Sequence, residues 1–251
     1  IKKINDNMYS YDYIDGELLS NITDENTLRD FLDWCEEHLF IKKESNSNFK
    51  LDCFEMYSNK TNQRTKKLAD TELDKIQYIN GVKVEPIQDM LSKIDWTSLC
   101  DNSVASLFHG DLQPENIIYN KSNNKFTLID WRQSFGTSLE VGDVYYDLSK
   151  LYHAIMINGQ TILKDMFNFT RQGYSVDLDF YVKSNLVEFM DIFKKFCVDY
   201  NYDWKRIELI GILHYFNICT LYDNFKGGRY GDFLFLYGKY LLAKYQRGNN
   251  E

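Results

Sequence analysis

The run His109-Gly110-Asp111-Leu112-Gln113-Pro114-Glu115-Asn116-Ile117-Ile118, answered further on by Leu128-Ile129-Asp130-Trp131, decides how the chain is read. It sets an acid and a carboxamide five residues apart in a polar loop, with a second acid downstream. Strand-like residues Val104 to Phe108 precede the loop. The apolar run Ile117-Ile118-Tyr119, the turn residues Asn120 to Asn124 and a second run from Phe126 to Ile129 follow it. This is a loop feeding a β-hairpin. Such a hairpin returns the end of its second strand to the loop before its first, so Asp111, Asn116 and Asp130 are expected to face one cavity. Oxygen ligands of that kind suit Mg²⁺, which binds one or two carboxylates together with substrate phosphates.

Outward from this centre the texture is helical. After Gly142, residues Val144, Leu148, Leu151, Tyr152 and Ile155 fall on one helical stripe, and Val182, Leu186, Phe189, Phe193 and Phe196 on another. Two further helices are expected, near Trp204 to Tyr222 and from a cap at Asp232 to about Arg247-Gly248, so the last hundred residues read as helical. Upstream, Met8 to Ile14 reads as one extended strand closed by Asp15-Gly16. Thr23 then caps a helix carrying Leu28, Phe31, Leu32, Cys35 and Leu39. Past the polar break Ser45 to Asn48, a weaker helical segment holds Leu68, Leu73, Ile76 and Ile79 and stops at Asn80-Gly81. The cluster Lys60, Arg64, Lys66 and Lys67 at its start reads as a solvated face. The fold class is α+β, mainly α: helices around one small hairpin.

Composition narrows the function. With 251 residues, 44% of them hydrophobic and 16% aromatic, the chain can bury a real core and is not a disordered tail. Its 29 basic against 37 acidic residues, net charge −8, oppose binding to nucleic acid or anionic lipid. Five widely spaced cysteines, without a CxxC pair, fit neither a disulfide framework nor a zinc site, and point to a reducing cytoplasm. The most apolar stretch, Leu209 to Tyr222, is shorter than a bilayer span and contains His214 and Asn217, so no membrane insertion is expected.

The segment HGDLQPENII followed by LIDW resembles the catalytic loop and metal-binding segment of the kinase superfamily, and within it the aminoglycoside phosphotransferase and choline kinase group of small-molecule kinases. At roughly 5% per residue type, a bare HxDxxxxN arises by chance in about 3% of chains this long. Here it is followed in order by Ile129-Asp130-Trp131 and by Gly142-Asp143-Val144-Tyr145-Tyr146-Asp147-Leu148, which resembles the GDxxYDLA segment of the same group. The resemblance implies a kinase-like C-terminal lobe acting with ATP and Mg²⁺, in which Asp111 is the catalytic base and Asn116 and Asp130 are metal ligands. It also implies structural roles for His109 and Asp147. Asp147 lies at the edge of an apolar stripe and is expected to accept hydrogen bonds from the catalytic-loop backbone. Tyr11-Asp12-Tyr13-Ile14-Asp15-Gly16-Glu17 resembles the hinge between kinase lobes, with Asp12 and Ile14 as main-chain contacts to adenine.

Protein kinases carry a Lys where Gln113 stands, and a long activation segment after the metal Asp. Only 16 residues separate Asp130 from Asp147, with no Ala-Pro-Glu among them, so the expected acceptor is a small hydroxylated metabolite rather than a peptide. Amino sugars, choline or ethanolamine, and sugars of envelope polysaccharides are all candidates. Arg132 is a candidate for the charge lost at Gln113. The resemblance covers about residues 8 to 250, with 1–16 as hinge strand, 17–251 as the lobe and the loop and hairpin at about 104–135. An upstream lobe is expected in the parent protein but not in this sequence. Gly227-Gly228-Arg229-Tyr230-Gly231 reads as a loop rather than a phosphate cradle, since no strand precedes it. The alternative is a kinase-like binding or scaffold module without turnover; metal-assisted hydrolysis ranks last, because His38, His153 and His214 are scattered.

Overall fold

The computed structural model describes residues 2–5, 8–10, 12–222 and 225–248. Strands β1 (Lys2–Asn5) and β2 (Met8–Ser10) pair antiparallel. The expected single strand from Met8 to Ile14 is therefore shorter and has a partner. Residues 12–15 are coil with no strand beside them, and Tyr13 stands 90% exposed; Tyr11 lies outside the described residues. The chain regains sheet geometry at β3 (Glu17–Leu18), which pairs with Tyr119 and Ile118.

Helix α1 (Glu25–His38) is capped by Asp24 rather than Thr23, since the Asp24 carboxylate reaches the Thr27 amide at 3.0 Å. Its stripe of Leu28, Phe31, Leu32 and Cys35 is buried. Next comes a continuous helical rod: α2 (Phe49–Phe54), a π turn (Glu55–Asn59) and α3 (Lys60–Thr65). The sequence reading carried one helical segment from the Lys60 cluster to a stop at Asn80-Gly81, and only its start, α3, is helical. Leu68 to Ile76 form turns, and Asn80-Gly81, at φ 48° and 73°, is the two-residue turn of a hairpin joining β4 (Tyr78–Ile79) to β5 (Val82–Lys83).

Helices α4 (Ile87–Ser92) and α5 (Trp96–Asp101) lead to β6 (Ala105–Ser106), which pairs with β9 (Gly142–Asp143). Between them lies the hairpin of β7 (Ile117–Asn120) and β8 (Lys125–Leu128), in register from Ile117 opposite Leu128 to Asn120 opposite Lys125. With β3 it makes a three-stranded sheet. Then follow α6 (Val144–Met156), α7 (Gly159–Leu163) and a second hairpin, β10 (Phe167–Gln172) and β11 (Ser175–Phe180). The expectation of an all-helical final hundred residues fails at this hairpin. Its signal is the alternation Val176, Leu178, Phe180, a period of two whose first two members are buried. β11 continues the upstream hairpin by pairing parallel with β4.

Three helices close the fold: α8 (Ser184–Asp199), α9 (Trp204–Cys219) and α10 (Arg229–Gly248), with Gly227-Gly228 in the 3₁₀ turn before the last. Asp232 falls in the first turn of α10 rather than at its cap. α9 packs against α6 and α10 and is buried on nearly every face, from Leu209 through Asn217. That explains its all-round hydrophobicity. The result is a mainly helical α+β architecture whose five cysteines are all buried. Among the described residues no helix is long and apolar enough to cross a membrane.

One buried ion pair ties α10 to the central turns. Lys239, fully buried, donates to Asp74 Oδ1 at 3.0 Å and to its carbonyl at 2.7 Å, while the Ile87 amide donates to the same carboxylate oxygen at 2.8 Å. Removing one partner of a buried pair leaves an uncompensated charge. Lys239→Met is expected to cost about 3–5 kcal/mol of unfolding free energy, read as a lower urea midpoint; an unchanged midpoint contradicts it.

Candidate active site

The loop between β6 and β7 is built on backbone bonds to a single buried carboxylate. Asp147, in the first turn of α6, accepts from the His109 amide at 2.6 Å and from the Gly110 amide at 2.7 Å. Complete burial pushes its acid up to about 7, against the pull of those two donors. Gly110 sits at φ 84°, and a β-carbon there would collide with the Arg132 Cβ, so the loop and the segment after Asp130 touch backbone to side chain. His109 is fully buried, donates through Nε2 to the Ile129 carbonyl at 2.9 Å and accepts through Nδ1 from the Asp111 amide at 3.2 Å. Burial holds it below its ordinary pKa, as a neutral strut between loop and hairpin.

Asp111 therefore projects from a rigid turn. Its Oδ2 accepts from Gln113 Nε2 at 2.7 Å, and its Oδ1 pairs with Lys150 Nζ at 2.9 Å. Burial alone would raise this acid, but Lys150 and Gln113 outweigh it and hold it below the ordinary carboxylate range. Asn116 donates its Nδ2 to the Asp111 carbonyl at 2.9 Å, which fixes the amide orientation and leaves its carbonyl oxygen without a hydrogen bond among the described residues. Asp130 follows β8 at φ 60°, an unusual backbone for a non-glycine residue, with an exposed carboxylate that has no hydrogen-bond or ion-pair partner among the described residues. Asp111 and Asp130 line the same cavity, of about 540 Å³; Asn116, expected to face it with them, is not among its lining residues and joins them through its bond to Asp111.

Arg132 lines that cavity too, donating through Nε to the Ser134 carbonyl at 3.1 Å and through Nη1 to the Tyr146 hydroxyl at 3.3 Å. The loop after it is pinned by buried Asp52 of α2, which accepts from the Thr137 amide at 2.8 Å. Asp143, also buried, ties the neighbouring elements by accepting from the Tyr57 hydroxyl, the Val104 amide and Arg206. Asp12 and Ile14 lie in the coil before β3, outside the lining of the cavity; their segment is held where Asn120 Nδ2 donates to the Asp15 carbonyl at 3.0 Å.

Sequence reasoning missed three lining residues. Lys150 lies one turn on from Asp147, off the apolar stripe, and a lysine in Asp147-Leu148-Ser149-Lys150 reads as solvent-facing until Asp111 is seen beside it. Lys60 and Arg64 were assigned to a solvated face, and both line the cavity; Lys66 and Lys67 are exposed. The four-residue spacing of Lys60 and Arg64, which puts both on one side of α3, was the available signal.

A loop acid held ionised by a buried lysine, a carboxamide bonded to it and a free acid at the end of the following hairpin form a set of groups that suits phosphoryl transfer. Among family models, that of the phosphotransferase enzyme family matches residues 60–177, from α3 through the loop, the hairpin and α6 into β11, and this central stretch is similar to that family. No curated protein and no solved structure matches the chain.

Proposed function

We propose that the protein transfers the terminal phosphoryl group of ATP to a hydroxyl of a small metabolite in the cytoplasm. The observation that carries this reading is the shared cavity of Asp111 and Asp130, with Asn116 bonded to Asp111. The donor set fits Mg²⁺. It offers the partner-free Asp130 carboxylate and the open Asn116 carbonyl, both hard oxygens, and among the described residues no group of three His, Cys, Asp or Glu forms an all-protein cage. Few protein ligands, completed by phosphates and water, are what Mg²⁺ accepts. When bound, the ion would neutralise charge on the transferred phosphates.

The remaining chemistry belongs to the chain. Asp111 accepts the acceptor's hydroxyl proton as that oxygen bonds to the terminal phosphorus and the nucleoside diphosphate leaves. Lys150 and Gln113 hold the carboxylate ionised and aimed, and Asp147 and His109 hold the turn that carries it. The short segment between Asp130 and Asp147 favours a small acceptor over a peptide. Adenine is assigned to the main chain at Asp12 and Ile14.

Calorimetric titration of the full-length protein with ATP, with and without Mg²⁺, tests the reading. ATP is expected to bind more tightly with the ion present, and Asp130→Ala is expected to erase that difference. Mg²⁺-independent binding, or an Asp130→Ala variant that keeps the difference, favours a non-catalytic module instead.

A further inference from the structure

The wall of the active-site cavity carries an excess of positive charge in a chain whose net charge is −8. Lys60, Arg64, Arg132 and Lys150 line it against only two carboxylates, Asp111 and Asp130; His153 and His214 also line it, and burial holds both well below their ordinary pKa. Of the four cations, Lys150 alone has a carboxylate partner. Arg64 gives Nη1 to the Asn217 carbonyl at 2.8 Å, and Arg132 bonds only neutral oxygens. Lys60 has no hydrogen-bond or ion-pair partner among the described residues. Burial, then repulsion from Arg132, Lys150 and Arg64, lowers its ammonium to about 7.

Elsewhere this protein matches its buried cations with acids, Lys239 with Asp74 and Arg206 with Asp143. A partly desolvated cluster left unmatched is costly by itself, and a bound anion removes that cost. The position of the cluster indicates which anion. Lys60 and Arg64 rise from α3, which packs on α9, so they belong to the helical wall. Asn116 and Asp130 flank the hairpin, and with them go the phosphates of the nucleotide in the reading above. Asp111 touches both sides, bonded to Asn116 and paired with Lys150 of α6.

Resting on the phosphotransferase reading above, we propose that the acceptor is itself an anion: a small hydroxylated metabolite bearing a phosphate or carboxylate, which Lys60 and Arg64 grip while its hydroxyl meets Asp111. An ammonium and a guanidinium fork suit such an oxyanion. Choline, ethanolamine or an amino sugar would meet like charge on the same wall.

The test is calorimetric titration of the full-length protein, in the presence of Mg²⁺ and a non-hydrolysable ATP analogue, with glucose 6-phosphate, glucuronate, inorganic phosphate and choline. At least one of the three anions is expected to bind and choline is not. Tighter binding of the two phosphates assigns the group as phosphate, and tighter binding of glucuronate assigns it as carboxylate. Lys60→Met should weaken the anion at least tenfold while the analogue's affinity stays within twofold, and Lys60→Arg should restore most of the loss. Lys60 has no partner whose removal would unfold the chain, and an unchanged melting curve checks this. The proposal is overturned if choline binds and no anion does, or if Lys60→Met weakens the nucleotide and spares the anion. Loss of Mg²⁺-dependent ATP binding in the wild type would instead sink the underlying phosphotransferase reading, an outcome separate from these.

Discussion

Asp111→Asn is expected to reduce phosphoryl transfer by roughly 10²–10⁴-fold, the usual contribution of a positioned general base, while Mg²⁺-dependent ATP binding persists. The two effects separate because Asn keeps the shape and the hydrogen bonds of the loop but cannot take a proton. Steady-state kinetics beside calorimetry reads both, and turnover equal to wild type would remove Asp111 from the base role. The charge environment adds a pH signature. With Lys150 and Gln113 overriding burial, the Asp111 acid is held below its ordinary range, so it places no acidic limb on the rate near neutrality. Lys150→Met takes away the opposing charge, burial then prevails, and the acid rises. The rate of that variant should fall as pH drops through a range where the wild type is flat. Superimposable pH profiles would contradict the pairing.

The second large effect is on the loop itself. Asp147→Ala removes the acceptor of the His109 and Gly110 amides, both buried, and each orphaned donor costs about 1–3 kcal/mol. The sum is a loss of roughly 2–6 kcal/mol in unfolding free energy, with activity falling along with it because Asp111 hangs from the same turn. Urea denaturation measures the first and kinetics the second. Asp147→Asn, which keeps one acceptor oxygen, should fall between. A loss under about 1 kcal/mol for the alanine variant would mean that the amides find other acceptors.

Much of the site could be read in the chain because its contacts are local. The hairpin from Ile117 to Leu128 announces itself by two apolar runs and a polar turn, and it closes with Ile117 opposite Leu128. His109, Asp111, Gln113 and Asn116 bond one another or the end of that hairpin. Errors arose where a local signal had two meanings. Asn80-Gly81 ends helices and also turns hairpins, and the second use won because β11 lay ready to pair with β4. The alternation in Val176-Asp177-Leu178 was overlooked against helical neighbours on both sides. At Asp24, a carboxylate reaching the Thr27 amide displaced the threonine before it as cap.

What the amino-acid sequence determined by itself is therefore the loop, its hairpin and the stripes of the long helices, since each depends on hydrogen bonds or apolar spacing within a few residues. The electrostatics of the cavity were decided only when the helices packed. Lys60 reaches the cavity on α3 and Lys150 on α6, and Asp111, in a loop distant from each in sequence, pairs with Lys150 and shares the cavity with Lys60. Periodicity can show that a lysine lies off the apolar stripe. It does not say whether that side of the helix meets bulk water or a neighbour's carboxylate, because that depends on how rigid elements far apart in the chain come to rest against one another.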